Sequence, residues 1–468
     1  MNSPSPAGNA EPAATPPAPA GESSRCAGSS SHPAPILLDI SRLIWRVPRT
    51  GPSGIDRIEL EYARHFLATG TERPAYGVIN YFGWLLAISP AGAQRFLRDL
   101  SARWNVAAAT SPNGSTGAHH APAPWAIYLR LAASAWSGGF WLRRKLRRHG
   151  GTPVFLVVSH HHLSRDEAMP RIRRAFGARG VCFLHDLIPI EYPEYFSASW
   201  QARGQRLVAN AARQYDAVIV NSAATADSFR RYLEANPAGG PPRVRVAPPG
   251  IRAFVPPEPK YPPSPTALPY FVVLGTIEPR KNHLLLLNLW ARLAKRDSAT
   301  SERPPLLHVI GARGWENEQV VDMLERCHEL RGLVIEHNGL DDGSVAQLLC
   351  GARALLLPSF VEGFGLPLAE ALASGVPVIC SDIPVFREVG GAAPEYLDPL
   401  DHFAWKHAVL DYYAAFSLRR IAQIQRIQAW KPPTWQDHFN IINETLAPLA
   451  AGSRECVGIG PDARRARV

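Results

Sequence analysis

Two series of short apolar runs constrain the fold of this chain more than any other feature. The first series comprises residues 36–40, 154–158, 181–184, 217–220 and 244–246, and the second comprises residues 270–274, 306–310, 333–336, 354–357 and 376–380. Runs that are apolar on both faces are typical of strands in parallel sheets, and helical stretches fall between them. The 468 residues are also too many for one compact core. The sequence therefore predicts an α/β protein with two doubly wound domains.

Changes in composition predict where these domains begin and end. The first residues are rich in Pro, Ala, Gly and Ser, which favours disorder, and prolines are concentrated between the two series of strands. The predicted order is a disordered tail at 1–34, an N-terminal domain at 35–255, a linker at 256–268, a C-terminal domain at 269–428 and a flexible tail at 451–468. Polar residues follow the strands, so we expect a ligand site at the carboxyl ends of both sheets.

The bulk composition leaves several classes of partner open. A net charge of +10 suits nucleic acid, an anionic membrane surface or phosphorylated substrates, and does not choose among them. The six cysteines form no CxxC pair, which favours reduced core residues in a cytosolic protein. The sequence shows neither a signal peptide nor an apolar run long enough to span a bilayer, so we expect a cytoplasmic location.

A glycine-containing loop, Glu362-Gly-Phe-Gly-Leu-Pro-Leu-Ala-Glu370, says most about function. Because proline is favoured in a first helical turn, a helix is predicted to begin near Leu366. The amides of that turn, beside Gly363 and Gly365, suit a diphosphate, and the two glutamates suit sugar hydroxyls. A sugar nucleotide has this layout of phosphates between hydroxyls. Each glutamate alone has an ordinary alternative, since it can favour the helix dipole or cap backbone amides.

A second segment, Gly275-Thr-Ile-Glu-Pro-Arg-Lys-Asn282, also lies between a predicted strand and a predicted helix. Arg280 and Lys281 supply two cations that can meet the charge of a diphosphate. The same cations can stabilise the charge that develops on a nucleoside diphosphate leaving group without a metal. The alternative for such a pair is a solvated surface. The two segments together favour a sugar-nucleotide site.

These two segments, with Ser374-Gly-Val-Pro-Val-Ile379 after them, resemble the donor site of family 4 retaining glycosyltransferases. That family, the glycosyl transferases group 1, includes bacterial mannosyltransferases of surface polysaccharide synthesis. The resemblance covers residues 270–400 strongly and is supported by residues 185–195 and 216–222. It implies a GT-B fold, in which two Rossmann-like doubly wound domains face a central cleft. Thr434-Trp-Gln-Asp-His-Phe439 resembles the C-terminal helix that crosses back to the first domain, here expected at 429–450.

The resemblance also implies roles for individual residues. Glu362 is expected to contact the donor sugar and Glu370 the ribose, while Arg280 and Lys281 hold the diphosphate. His185 is expected near the anomeric carbon, so His185 and Glu362 are the predicted catalytic residues; a partly buried core histidine is the alternative for His185. Further donor contacts are expected at Gly275, Asn338, Gly363, Phe364, Gly365 and Leu366, with Asn338 beside the nucleobase.

Gly51-Pro-Ser-Gly54 matches the position of the glycine loop that closes on the donor in this family. Gly54 and Arg57 are therefore predicted as acceptor or phosphate loop residues, although a structural turn before a helix is nearly as good an interpretation. His160-His161-His162 is a poor tridentate metal site, because successive residues of a strand point in alternating directions. Only His160, at the strand end, is predicted to reach the acceptor, and no metal is expected.

Residues 125–149 combine aromatic and leucine side chains with a run of arginines and a lysine. Interfacial helices pair aromatic and basic residues in this way, so this segment is a predicted peripheral contact with the inner face of the cytoplasmic membrane. A buried helix with a solvated basic end explains the pattern equally well.

These patterns lead to one main hypothesis. The chain is expected to be a retaining, metal-independent hexosyltransferase that needs no cofactor. It would move a hexose, with mannose from GDP-mannose favoured, to a glycan or polyprenyl-linked acceptor in surface polysaccharide (lipopolysaccharide) biosynthesis. The alternatives are a catalytically silent binding module or a sugar-nucleotide epimerase of the same fold. A nucleic-acid binder rests on charge alone, and no nucleic-acid partner is expected, because no recognition motif is present.

Overall fold

The computed structural model describes most of the chain. It covers residues 34–49, 51–68, 73–81, 84–104, 122–136, 139–149, 151–237, 239–255, 268–297 and 303–450. The predicted N-terminal tail except Ala34, the predicted linker except residue 268, and the predicted tail from residue 451 lie outside the described residues.

The first sheet is parallel except at one edge. Its strands are β1 (Ile36–Asp39), β2 (Ala75–Tyr81), β3 (Trp84–Ile88), β4 (Ala135–Trp136), β5 (Val154–Val157), β6 (Arg179–Leu184), β7 (Ala217–Val220) and β8 (Arg243–Val246). They lie in the order β4-β3-β2-β1-β5-β6-β7-β8, and among the described strands only β3 runs opposite to its neighbours, so that it pairs antiparallel with both β2 and β4. Two residues separate β2 from β3, which is too few for a parallel crossover. This edge therefore differs from the predicted parallel sheet.

The second sheet is parallel throughout its described strands. These are β9 (Tyr270–Leu274), β10 (Leu306–Ile310), β11 (Val334–His337), β12 (Leu355–Leu357), β13 (Val378–Ser381) and β14 (Glu395–Leu397). Their order is β11-β10-β9-β12-β13-β14. The strands β10 and β11 lie on one side of β9, and β12, β13 and β14 lie on its other side. The boundary between β9 and β12 is therefore the kind of switch point where open parallel sheets bind ligands.

Helices cover both faces of each sheet. They are α1 (Ser41–Trp45), α2 (Gly54–Phe66), α3 (Pro90–Arg103), α4 (Pro124–Ser134), α5 (Gly139–His149), α6 (Ala168–Phe176), α7 (Ile188–Glu191), α8 (Ala198–Gln214), α9 (Ala223–Ala235), α10 (His283–Asp297), α11 (Glu318–Arg326), α12 (Asp342–Cys350), α13 (Leu366–Ala373), α14 (Pro384–Gly390), α15 (His402–Tyr413), α16 (Leu418–Ala429) and α17 (Trp435–Ala450). Neighbouring strand residues such as Leu37 and Leu38 enter apolar clusters on opposite faces of the sheet. Two doubly wound domains, as predicted, are therefore confirmed.

The last helix, α17, packs into the core of the first domain. Its buried apolar residues there are Phe439, Ile442 and Leu446. The Nε2 atom of His438 lies 2.8 Å from the hydroxyl of Tyr62. The predicted return of the chain to the first domain is thus observed, but the helix begins at Trp435 and not at residue 429. Pro432 and Pro433 lie between α16 and α17. They interrupt the helix, because proline lacks a backbone N–H donor and disfavours helical backbone at the residue before it.

Residues 125–149 lie mainly in α4 and α5. The buried apolar side chains of these two helices are Ile127, Leu131, Leu142 and Leu146. The exposed ones are Trp125, Tyr128, Leu129 and Trp141. The segment therefore has both a core face and an exposed aromatic face. Within the part of the chain that the structure describes, no helix is both long enough and apolar enough to cross a membrane.

Candidate active site

The candidate site forms where the carboxyl ends of the two sheets meet. His185 directly follows β6, and the loop that contains Glu362 follows β12. A Cβ atom at Gly363 would lie 2.9 Å from the carbonyl oxygen of His185, so a larger residue would press on backbone. Ser222 donates a hydrogen bond from its hydroxyl to the carbonyl oxygen of Gly363 at 3.2 Å. The structure thus brings the predicted donor loop against the predicted catalytic histidine.

Glu362 is the centre of a buried ionic network. Its Oε2 accepts a hydrogen bond from Arg280 at 2.7 Å, and its Oε1 accepts hydrogen bonds from Lys281 and from Ser359, the latter at 2.8 Å. Burial by itself raises the pKa of Glu362, but the charges of Arg280 and Lys281 outweigh it and lower the pKa to about 2. Glu362 is therefore ionised at any physiological pH.

Arg280 has a second carboxylate partner, Glu278. The Nη2 atom of Arg280 lies 2.5 Å from Oε1 of Glu278, and its Nη1 donates to the carbonyl oxygen of Val361 at 2.9 Å. Burial raises the pKa of Glu278, whereas the charges of Arg280 and Lys281 act in the opposite direction. Sequence reasoning missed Glu278, although an acidic residue two positions before the two cations was visible. The cations predicted for a diphosphate are thus already matched by carboxylates.

The loop after Glu362 leads into α13, as predicted from its proline. Gly365 is the N-cap residue and has a φ of 89°, a left-handed conformation that favours glycine. A Cβ atom there would also lie 2.7 Å from the ring of Phe386. Phe364 is buried, and Leu366 packs against the core of the first domain. The helix N-terminus therefore points its partial positive charge into the space between the domains.

Glu370 lies one turn inside α13 and is partly buried. Burial raises its pKa to about 7, and the charge of nearby Arg57 only partly opposes this rise. Arg57 itself forms a two-pronged ion pair with Asp342, with N···O distances of 2.8 and 2.5 Å. Arg57 belongs to α2 of the first domain and Asp342 to α12 of the second. This ion pair beside Glu370 therefore joins the domains, and sequence reasoning missed Asp342.

The glycine loop at residues 51–54, before α2, is both a turn that starts the helix and a contact with the predicted donor loop. Ser53 and Asp56 form a capping box, so the turn starts the helix. A Cβ atom at Gly54 would also lie 2.8 Å from Cδ1 of Leu366, the first residue of α13. The loop is thus a structural turn that also contacts the predicted donor loop.

His185 is buried and hydrogen-bonded on both its ring and its backbone. Its Nε2 lies 2.8 Å from the carbonyl oxygen of Val158, so Nε2 carries the proton and Nδ1 is left as an acceptor. Burial lowers the pKa of His185 to about 4, which keeps the ring neutral. The backbone amide of His185 donates to Nε2 of His160 at 3.1 Å. His160 therefore positions His185.

The run of three histidines does not converge on one point. His160 accepts from His185, whereas Nδ1 of His162 lies 2.6 Å from Oδ2 of Asp39. Among the described residues, no group of three or more His, Cys, Asp or Glu side chains is arranged to hold a metal ion.

Two other predicted donor residues have different surroundings. Gly275 has a φ of 145°, and a Cβ atom at Gly311 would lie only 1.9 Å from its carbonyl oxygen, so β9 and β10 approach closely there. Lys281 Nζ would lie 3.4 Å from a Cβ atom at Gly275. Asn338 is exposed and follows β11 at the edge of the second sheet. The structure thus brings Gly275, and not Asn338, against the Glu362 network.

An aromatic contact between the domains was also missed. Trp315, which follows β10, donates from Nε1 to the carbonyl oxygen of Tyr195 at 2.9 Å. Its ring stacks on Trp200 of α8, with 5.9 Å between centroids and 20° between planes. The next residue, Glu316, has a φ of 48°, which is unusual for a residue other than glycine. A tryptophan after a strand end was the available signal for this contact.

Two doubly wound domains whose carboxyl edges face each other around a cationic loop define a GT-B protein. Comparison with known families agrees with this class. Residues 257–393 match the family model of Glycosyl transferases group 1, and residues 91–253 match that of Glycosyltransferase Family 4. The chain therefore combines a Glycosyltransferase Family 4 domain with a Glycosyl transferases group 1 domain, and the predicted GT-B fold is confirmed.

Similar proteins include two from Escherichia coli. O-antigen chain mannosyltransferase B is 35% identical over 168 residues, which are 36% of this chain and 43% of that protein. Serotype-specific mannosyltransferase WbdA is 28% identical over 296 residues, which are 60% of this chain and 35% of that protein. The chain thus spans less than half the length of either relative. Sucrose-phosphate synthase from Thermosynechococcus elongatus has the same fold, with a TM-score of 0.57 at 16% identity over 90% of this chain and 100% of that chain.

Proposed function

We propose that this chain is a retaining glycosyltransferase. It would transfer a hexose, with mannose favoured, from a nucleotide-sugar to a glycan or lipid-linked glycan acceptor in surface polysaccharide biosynthesis. One observation carries the proposal: the buried network of Glu362 with Arg280 and Lys281 lies at the start of α13 and opposite His185. Fixed cations and a helix N-terminus suit a diphosphate, and a carboxylate suits sugar hydroxyls.

The network suggests how the donor would react. The bond between the anomeric carbon and the diphosphate breaks, and its electron pair leaves with the nucleoside diphosphate. Arg280 and Lys281 turn part of their hydrogen bonding from Glu362 to this group and stabilise its growing negative charge without a metal. Glu362 meanwhile accepts hydrogen bonds from the sugar hydroxyls, so the carboxylate and the cations separate around the donor.

The acceptor step would take place beside His185. The acceptor oxygen forms the new bond on the face that the leaving group vacates, so the anomeric configuration is retained, and the acceptor proton passes to the departing diphosphate. Because His185 is neutral and Nδ1 carries no proton, Nδ1 can accept a hydrogen bond from the donor sugar or the acceptor hydroxyl. His185 would therefore orient the reactants without becoming covalently bound to the sugar.

Glu370 and Asn338 are the remaining proposed donor contacts. Glu370 would bind the ribose hydroxyls, since it lies one turn further along α13 than the loop that contains Glu362. Asn338 would lie against the nucleobase only if the donor extends towards the edge strand β11. The choice of mannose and of surface polysaccharide rests on the two E. coli mannosyltransferases that the chain resembles. GDP-mannose is the donor to test first for the same reason.

A peripheral position on the inner face of the cytoplasmic membrane is part of the proposal. The exposed aromatic face of α4 and α5 includes Trp125 and Trp141, and the basic residues of α5 lie in the same segment. Aromatic and basic side chains together favour the interface of an anionic bilayer, where a lipid-linked acceptor would be found.

The first test is the thermal stability of the full chain with GDP, UDP, dTDP and ADP sugars. A ligand that binds only the native state raises the melting temperature, by about 2.7 kcal/mol of stabilisation at a hundredfold excess over Kd. We expect GDP-mannose to give the largest shift. If none of the sugar nucleotides shifts the melting temperature, the proposal fails.

Product analysis separates the proposal from its alternatives. A transferase releases nucleoside diphosphate in proportion to a new glycoside, whose anomeric configuration NMR can compare with that of the donor. An epimerase releases free sugar without an acceptor, and a silent binding module gives a thermal shift without turnover.

A further inference from the structure

Six aromatic side chains, each at least partly exposed, lie where the two domains meet. Four of them come from the segment that follows β6, one comes from the segment after β10 and one from the loop after β12. These residues are Tyr192, Tyr195, Phe196, Trp200, Trp315 and Phe360. Each segment leaves the carboxyl end of a parallel strand, so the six lie at the edge that holds the candidate active site. We name these six residues the aromatic strip.

Part of the aromatic strip crosses from the first domain to the second through Tyr195. Its ring stacks on Tyr192, with 6.3 Å between centroids and 15° between planes. It also stacks on Phe360 of the second domain, with 5.9 Å between centroids and 6° between planes. Three rings that are nearly parallel therefore form one surface across the domain boundary.

The rest of the aromatic strip is joined to these rings by Trp315. The indole of Trp315 donates to the carbonyl oxygen of Tyr195, and its ring lies 5.7 Å from Phe196 and 5.9 Å from Trp200 between centroids. The guanidinium of Arg203 lies 5.4 Å from the centroid of the Trp200 ring. Measured contacts thus connect all six rings and end at a cation.

The aromatic strip begins beside the Glu362 network. Phe360 is two residues before Glu362, and its backbone amide donates to the carbonyl oxygen of Arg280 at 2.8 Å. The side chain of Arg280 in turn contacts Glu362 at 2.7 Å. The strip is therefore continuous with the proposed donor site and leads away from it along the domain boundary.

The rings of the aromatic strip are not covered by one another. Parallel rings whose centroids lie about 6 Å apart are offset, so part of each face stays open. Trp200 is 45% exposed and Tyr192 is 37% exposed. A contiguous patch of exposed apolar side chains marks a binding surface, unlike single exposed apolar residues.

The charges beside the aromatic strip favour a neutral polar ligand. Exposed Glu194 lies between Tyr192 and Tyr195 in the sequence, and Arg203 lies beside Trp200. Hydroxyl groups can bond both a carboxylate and a guanidinium, because a hydroxyl both donates and accepts. An anionic bilayer would be repelled by Glu194. By contrast, α5 contains arginines and a lysine and no acidic residue.

We propose that the aromatic strip binds sugar units of an extended glycan acceptor, next to the unit that is glycosylated. The C–H face of a sugar ring packs against the negative face of an aromatic ring, while its hydroxyls reach the polar side chains at the rim. This inference rests on the proposed transferase function, because it extends the acceptor side of that site. It makes the chain an enzyme that prefers a long glycan to a single sugar.

The test compares an alkyl mannoside with an alkyl oligomannoside as acceptors for the full chain. We expect the lower KM with the oligomannoside. Trp200→Ala should raise that KM about tenfold, the scale of one lost ring contact, and leave kcat and the KM of the single mannoside unchanged. Trp200→Phe keeps a flat apolar face and should recover most of the loss. Tyr192→Ala should raise the same KM.

Phe416→Ala is the control. Phe416 is 70% exposed and follows α15. Arg353, which precedes β12, donates to the carbonyl oxygens of Tyr412 and Ala414, so this aromatic residue lies near the amino edge of the second sheet. Its removal should change neither KM.

Three results would overturn the proposal. If Trp200→Ala weakens transfer to both acceptors equally, the aromatic strip only joins the domains. If Trp200→Ala loses binding to vesicles of anionic lipid but keeps the KM of the oligomannoside, the strip is a membrane contact. If Trp200→Ala instead changes the oligomeric state in sedimentation and keeps that KM, the strip is an interface between copies of the chain.

A binding measurement keeps this inference separate from the function on which it rests. Saturation-transfer NMR detects a soluble oligomannoside on the full chain with the donor site filled by nucleoside diphosphate. We expect binding that Trp200→Ala weakens and Phe416→Ala retains. Transfer to the single mannoside without this binding overturns the aromatic strip as a glycan site and leaves the transferase function. Binding that depends on Trp200, without transfer from any sugar nucleotide, overturns the transferase function and leaves a glycan-binding surface.

Discussion

The proposed donor half of the site, in the second domain, and the first-domain half that faces it hold their positive charges in opposite ways. In the second domain, partly buried Arg280 and buried Lys281 already contact Glu362. In the first domain, partly exposed Arg203 and exposed Arg206 form no ion pair with a carboxylate of the residues that the structure describes. A matched buried network is held in one geometry and is little affected by salt, whereas exposed unmatched charge depends on ionic strength and on its partner. We therefore expect binding at the Glu362 network to change little with salt, and any anion binding at Arg203 and Arg206 to weaken as the salt concentration rises.

The largest effect is expected from a variant that changes the charge balance of Glu362 with Arg280 and Lys281. Glu362→Gln leaves Arg280 and Lys281 without their shared counter-ion and removes the proposed sugar contact. We expect kcat/KM for the donor to fall by about 100- to 1000-fold, as when one preorganised electrostatic contact is lost from an active site. Initial rates of nucleoside diphosphate release measure this fall.

Glu234→Gln is the control for that variant, because Glu234 is exposed at the end of α9. Its activity should equal that of the unmodified chain, and the melting temperature of Glu362→Gln shows whether the variant still folds. A folded Glu362→Gln variant with normal transfer would remove the basis of the donor assignment.

A second test adds a side-chain atom where the two halves of the site are in contact. Gly363→Ala adds a Cβ atom 2.9 Å from the carbonyl oxygen of His185, which is backbone and cannot turn away. We expect transfer to fall by about 10- to 100-fold, because a shift of about an ångström in the reacting groups is costly. Gly54→Ala is the matched variant: its Cβ atom meets the flexible end of Leu366, so its loss should be smaller. Equal losses in the two variants would show that contact with His185 has no special importance.

The protonation of Glu370 sharpens the comparison on the donor side. Burial raises its pKa from 4.5 to about 7, so the folded chain keeps a proton that the unfolded chain releases between those values. Stability from this group is complete at acid pH and is lost as the pH rises through about 7. The proposed ribose contact needs the ionised carboxylate, so nucleotide affinity should rise by up to about tenfold between pH 6 and 8.

Calorimetric titration of the nucleotide across that pH range measures the effect. Glu370→Gln should bind more weakly at pH 8 and show a flatter profile. A profile that is as steep in Glu370→Gln as in the unmodified chain would assign the titration to another group.

The smallest expected effect comes from the ion pair between the halves. The side chains of Arg57 and Asp342 are 28% and 25% exposed, so their coupling should be about 0.5–1 kcal/mol. A double-mutant cycle with Arg57→Ala and Asp342→Ala, followed by urea unfolding, measures this coupling. The exposed pair of Arg230 and Asp227 within α9 serves as the reference and should couple less strongly. A coupling near zero for Arg57 and Asp342 would mean that this pair does not help to hold the domains together.

The sequence predicted the elements of this site better than their partners. Glu362, Arg280 and Lys281 could be placed together because each follows a strand, and parallel strands end at one edge. Their pairing with one another could not be predicted, since the same residues were equally suited to a bound diphosphate. Glu278 was not predicted as a site residue, because a single acidic residue before a proline forms no distinct pattern.

Contacts between the domains were beyond any local pattern. Arg57 and Asp342 are 285 positions apart, and Trp315 meets Tyr195 across 120 positions. Such pairs depend on how two complete domains are placed, which neither hydrophobic period nor turn residues encode. The antiparallel edge of the first sheet was missed for a different reason: β4 has two residues, too few to show any alternation.

The packing of α17 has a consequence for the newly made chain. Phe439, Ile442 and Leu446 complete a core whose other members include Ile36 and Val154. Domains usually fold in the order in which the ribosome delivers them. Here the core of the first domain lacks these three side chains until the whole second domain has been made, so an apolar face of its sheet stays exposed during that time. The core of the first domain is therefore completed only after the second domain has been made. Until then, the exposed apolar surface of the first domain is available to chaperones.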